Sequence, residues 1–204
     1  MKRLKIAAAC LLLLSLFGCS RSEFCDLSGF VYEFARGSDL DLEIEDFTFE
    51  TKSDGTVYRT FFGEKGDEVM LSLESDEENR ICCGRILICK YDSAGNPKEI
   101  SPEQISLFIS AAYGTMAALC SYDRQQSRSL LEEFTLYSAA SYRAQGELTK
   151  QCGSFRFVYY STALMSEMIL YNLRLKDVEP TEKPESRPLF GDTTRLRNDE
   201  TTKK

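Results

Sequence analysis

Polar and apolar residues alternate along residues 39–50 (DLDLEIEDFTFE). Leu40, Leu42 and Ile44 fall on one side of an extended chain, and Asp39, Asp41, Glu43 and Glu45 on the other. Period two is the signature of a half-buried strand. The phase changes between Ile44 and Phe47, which predicts a bulge or a break between two short strands. Asp54-Gly55 then marks a hairpin turn ahead of the aromatic run at 57–62. Residues 63–67 turn the chain again, and Val69, Leu71 and Leu73 alternate with Glu68, Ser72 and Glu74 in a third strand. After a charged turn at 75–79, residues 81–91 (ICCGRILICKY) are apolar on both faces. Such a strand belongs in the middle of a sheet, covered on each side or buried by a partner.

The pattern changes at Ser101-Pro102-Glu103-Gln104. Serine at the cap, proline at the first helical position and glutamine at the third form a capping box that opens a helix. From Gln104 to Tyr122 there are 19 residues without a charge, and Ile105, Phe108, Ala112, Met116, Leu119 and Cys120 fall near one stripe. The length invites a membrane-spanning reading, but Gln104, Ser106, Ser110, Gly114, Thr115 and Ser121 dilute the apolarity, so a core helix against the sheet is expected. Asp123 to Gln126 repeats the cap logic for a second helix reaching about Tyr137, and residues 138–152 carry little pattern. Residues 155–160 (FRFVYY) and 168–175 read as a closing hairpin, with a helix over 162–173 as the alternative. Residues 27–35 (LSGFVYEFA) read as either a first strand or a docking turn. The sum is an α+β domain over 27–176, an antiparallel sheet of about six strands packed against two helices in the order ββββααββ. From 177 onward Pro180, Pro184 and Pro188 stand among mixed charges, which predicts a disordered, solvated tail, ahead of the alternative that Leu189-Phe190 is a binding motif inside it.

The N-terminus has a separate logic. Lys2, Arg3 and Lys5 precede an apolar run at 6–17, whose 12 residues are too few to cross a hydrocarbon layer that takes about 20. The run closes on Leu16-Phe17-Gly18-Cys19. This resembles the lipobox of bacterial lipoprotein precursors, a large aliphatic residue, two small ones and a cysteine; Phe17 stands where the family has a small residue. Cys10, behind three alanines, would leave a signal core of about four residues, short of the usual ~7–15. The resemblance implies a signal peptide at 1–18, lipidation of Cys19, a short tether at 19–26, and an extracytoplasmic protein held at a bacterial cell or outer membrane.

Composition narrows the function. The 204-residue chain has a net charge of −7, and loss of the three signal cations gives −7 − 3 = −10 for the mature protein. Nucleic acid would be repelled, whereas a cationic protein or peptide would be attracted. Histidine is absent, which removes Ser-His-Asp and Cys-His nucleophiles and His-ligated metals. With Cys10 cut away and Cys19 lipidated, Cys25, Cys82, Cys83, Cys89, Cys120 and Cys152 remain as disulfide candidates or as core thiols. No C-x-x-C pair, phosphate loop or calcium loop occurs, so no catalytic, metal or cofactor residue can be named. A non-enzymatic protein- or peptide-binding module is the expected function, ahead of a small-ligand-binding domain and a carboxylate- or thiol-based enzyme.

Overall fold

Asp26 opens the first helix by accepting a hydrogen bond from the Gly29 amide at 2.8 Å. In this computed structural model, which describes residues 25–92 and 94–175, four helices follow one another as α1 (Leu27–Gly37), α2 (Pro102–Cys120), α3 (Arg124–Glu133) and α4 (Ala139–Arg143). Seven strands, β1 (Thr48–Lys52), β2 (Gly55–Phe62), β3 (Val69–Ser75), β4 (Ile81–Cys89), β5 (Gly146–Cys152), β6 (Phe155–Ser161) and β7 (Met165–Asn172), form one antiparallel sheet in the order β1-β2-β3-β4-β7-β6-β5. The protein is therefore α+β. Two meanders, β1 to β4 and β5 to β7, meet at their last strands, and β4 lies fourth of seven, the central place its two apolar faces call for. The expected signal peptide, Cys19 and the tail from 177 lie outside the described residues.

Residues 27–35 form a helix, neither a strand nor a turn. Phe30 and Phe34, four apart, share one helical face and are fully buried, and the Phe34 ring stacks on Phe62 at 5.8 Å. Residues 39–46 are not a strand either. The Ser38 hydroxyl accepts from the Leu40 amide at 3.0 Å, and Asp46 accepts from the Glu43 amide at 2.8 Å. These short side chains bond the neighbouring backbone and favour a 3₁₀ turn at Ile44–Asp46 over a ladder. The sheet has seven strands because the weakly patterned stretch supplies β5, which pairs only with β6 and, as an exposed edge, needs no apolar face. The closing hairpin forms as expected from β6 and β7.

Helix α2 is buried on more than the single stripe its sequence suggests. Phe108, Ala111, Ala112, Thr115 and Met116 are fully buried, as α2 lies between the sheet and α1. Two glycines permit the approach. A methyl on Gly114 would stand 2.5 Å from the Phe34 ring, and one on Gly84 of β4 would stand 2.8 Å from Thr115 Cγ2. Burial against protein accounts for the uncharged run. No single described helix is long and apolar enough to cross a membrane. Gly114→Ala should lower the free energy of unfolding by ~1–3 kcal/mol through overpacking, read as a shifted urea midpoint; an unchanged midpoint would show that α1 has room to move away from α2.

Candidate functional site

Strand β1 ends the sheet on one side, pairing with β2 alone, and all five of its residues are exposed. Phe49, opposite Tyr58 in the register, is 72% exposed, and Ile44 in the turn before the strand is 46% exposed. Asp41, Glu43, Glu45, Asp46, Glu50 and Asp54 are exposed along the same stretch. Glu50 is matched by Arg59 at 3.4 Å, and Asp46 is occupied in capping the turn. The result is a free backbone edge with two exposed apolar side chains in an acidic setting. Its chemistry suits a strand offered by a partner, whose main chain would pair with β1.

A second cluster sits on the sheet face away from the helices. Cys82, Cys83, Val158, Ile169 and Tyr171 form a buried group to which no described helical residue contributes. Beside it Arg85 lies between two carboxylates, with Nε 3.1 Å from Glu74 and Nη1 3.7 Å from Glu167, while the Tyr160 hydroxyl donates to Glu167. Burial lifts the Glu167 pKa above its ordinary value, against the pull of Tyr160 and Arg85. Burial alone would lower the pKa of Arg85, but Cys83, Glu74 and Glu167 hold it above the usual arginine value. Among the described residues the buried Tyr171 hydroxyl has no hydrogen-bond partner. Both carboxylates are engaged by the same guanidinium, and with the Tyr160 hydroxyl they form one connected network that pins β3, β4, β6 and β7.

Two surface clefts flank α2. One, of about 670 Å³, is lined by Cys25, Asp26, Glu33, Arg80, Cys120 and Arg174 among others. The other, of about 760 Å³, is lined by Asp39, Tyr113, Arg124, Arg128 and Tyr137. In the second, Arg124 pairs with Asp39 at 2.7 Å and lies over the Tyr113 ring, and the Tyr113 and Tyr137 hydroxyls are hydrogen-bonded. The remaining tyrosines are spread over separate parts of the fold. Tyr142 packs edge-on against Phe108 and Tyr159 in the core, while Tyr160 and Tyr171 belong to the far sheet face.

Among the described residues no disulfide joins the six cysteines, which lie in two regions, with Cys89 at the end of β4. Cys25, Cys120 and Cys152 pack against the main core on the helix side. Cys82 and Cys83 do not take opposite faces as a regular strand would require. The register steps from the Glu74–Cys83 pair to the Ser75–Ile81 pair, leaving Cys82 out, and both side chains join the far-face cluster. Among the described residues no group of three or more acidic or cysteine side chains could hold a metal.

Compared with known proteins, the chain matches no family model, no curated protein and no solved structure. The β1 acids were legible as an acidic stretch, but their position on a sheet edge was not. Arg85 and Glu167, 82 residues apart, carry no local signal. Arg85→Ala would leave buried carboxylate charge uncompensated and should cost about 3 kcal/mol at neutral pH. Because the Glu167 pKa is raised on folding, that penalty is present at pH values above its folded pKa and fades as pH falls toward the ordinary 4.5. Urea unfolding of both proteins from pH 7 to 4.5 should show the gap narrowing; a constant gap would mean that Glu167 does not carry the effect.

Proposed function

We propose that this protein is a lipid-anchored extracytoplasmic module that binds a cationic protein or peptide along the β1 edge. The observation that carries the reading is the fully exposed edge strand, with Phe49 and Ile44 standing out among acids. Sheet edges usually carry cations or are covered to prevent pairing. Lys52 is the only cation on β1, and two large apolar residues are left in water, an arrangement that costs solubility unless something docks there. Main-chain pairing would supply affinity, Phe49 an apolar anchor, and the acids attraction and register.

The lipobox-like segment supports the anchor. Cys25, the first described residue, stands 25 − 19 = 6 positions after Cys19. A stretch of that length reaches at most about 20 Å, so recognition would take place next to the lipid surface.

Replacement of Cys19 by alanine should release the exported protein from the membrane fraction; full retention would remove the anchor from this reading. For binding, the tagged mature protein should capture a specific basic partner from native envelope at low salt and lose it progressively as salt rises. Phe49→Ser, at an exposed site that leaves the core intact, should weaken that capture at least tenfold. Equal capture by the variant would exclude β1 as the docking edge, and repeated capture of nothing above background would overturn the binding function.

A further inference from the structure

Strand β1 offers its open edge through two residues. Near the start of β2, the Thr56 amide donates to the Ser75 hydroxyl of β3 at 3.2 Å, and the Thr56 carbonyl accepts from the same hydroxyl at 3.4 Å. Both main-chain groups of Thr56 therefore point away from β1. In an antiparallel ladder, facing residues alternate between pairs that exchange main-chain hydrogen bonds and pairs that do not. Thr51 faces Thr56, so its own amide and carbonyl also point out of the ladder, toward the open side of the sheet. Phe49, two positions earlier and facing Tyr58, does the same, whereas Thr48, Glu50 and Lys52 turn their main chain to β2. Side chains divide in step. Phe49 and Thr51 share the face of Tyr58, which packs against the main core on the helix side and meets Phe47 edge-on at 6.3 Å. Thr48, Glu50 and Lys52 lie on the other face. Glu50 and Arg59 pair there at 3.4 Å with both side chains in water, where such a pair is worth little and a second cation is readily admitted.

We propose that the segment docking on β1 is an antiparallel strand in which a lysine or arginine stands between two apolar or β-branched residues, the cation beside Glu50 and the other two beside Thr51 and Phe49. The inference rests on the edge-binding reading above and specifies the partner that this edge takes. Antiparallel pairing continues the arrangement of every pair in this sheet and is the more stable per residue. A partner residue that exchanges hydrogen bonds with Phe49 or Thr51 places its side chain on the aromatic face. The residue between them turns its main chain away from β1 and sets its side chain next to Glu50. Lys52 fixes the register, because a slide of two residues toward the hairpin brings the partner's cation against it, and like charges directly opposite are destabilising. The net negative charge attracts any basic chain. Only an alternating one puts charge and apolar surface on separate faces, since a continuous basic run leaves Phe49 without an apolar neighbour.

A capped peptide with the central sequence Val-Lys-Phe, titrated into the full ¹⁵N-labelled chain in detergent, should shift the amide signals of Phe49 and Thr51. Exchanging its lysine and phenylalanine should weaken binding about fivefold, because any register that keeps the phenylalanine on Phe49 then loses the pairs at Glu50 and Thr51. Glu50→Lys, at an exposed position, should turn the preference toward a Val-Glu-Phe peptide. Equal binding of the exchanged peptide, or an unaltered preference in the Glu50→Lys protein, would overturn the alternation. N-methylation of the valine and phenylalanine amides should abolish binding, while N-methylation of the lysine amide should leave it unchanged. The opposite outcome would mean parallel pairing and would overturn the proposal. Should no peptide bind while native envelope still yields a basic partner that Phe49→Ser loses, the pattern is wrong and edge binding survives it. Absence of that partner as well would remove both.

Discussion

The close seat of α2 is the constraint on which this structure depends. The helix lies on β4 at Gly84 and against α1 at Gly114, and in both places the contact exists because a side chain is missing. A sheet that meets helices on one face needs its central strand to admit them closely, since dispersion contacts fade within an ångström of separation. Around this seat the core assembles in order. Phe34 reaches Gly114 from α1 and stacks on Phe62, Phe108 meets Tyr142, and Tyr142 meets Tyr159 of the second meander. Helix α2 thereby helps to tie together two meanders that also meet where β4 pairs with β7.

The same architecture distributes the polar chemistry. Helices occupy one face, so the opposite face must satisfy its own charges, and Arg85 does so by standing between Glu74 and Glu167. At the sheet margin nothing of this kind is required. The acids that approach β1 remain in water, where they cost little and project a negative field around an unpaired backbone edge.

An edge strand guides pairing only if it keeps its twist and register, so a stiff frame behind β1 matters for the binding proposed above. The ionic group on the far face supplies stiffness by tying four strands through charge-assisted hydrogen bonds.

Local rules written in the sequence determined much of this protein. The capping box at Ser101 set the start of α2, the Asp-Gly turn set the β1–β2 hairpin, and the two apolar faces of residues 81–91 placed that strand centrally. Each depends on contacts within a few residues or on a period that burial imposes. Where the pattern misled, a non-local or competing term had prevailed. Residues 27–35 form a helix because Phe30 and Phe34 need Gly114 and Phe62, which lie elsewhere in the chain. The alternation at 39–45 lost to side-chain bonds that fold the backbone into a turn. Strand β5 lacked a signal because an edge strand in water has no apolar face to show. The candidate sites divide in the same way. The acidity of residues 39–54 was visible in the sequence, but a sheet edge and a guanidinium between two carboxylates exist only once the sheet order and helix seat are set. Both are relations between distant positions, and tertiary packing alone decides which distant positions become neighbours.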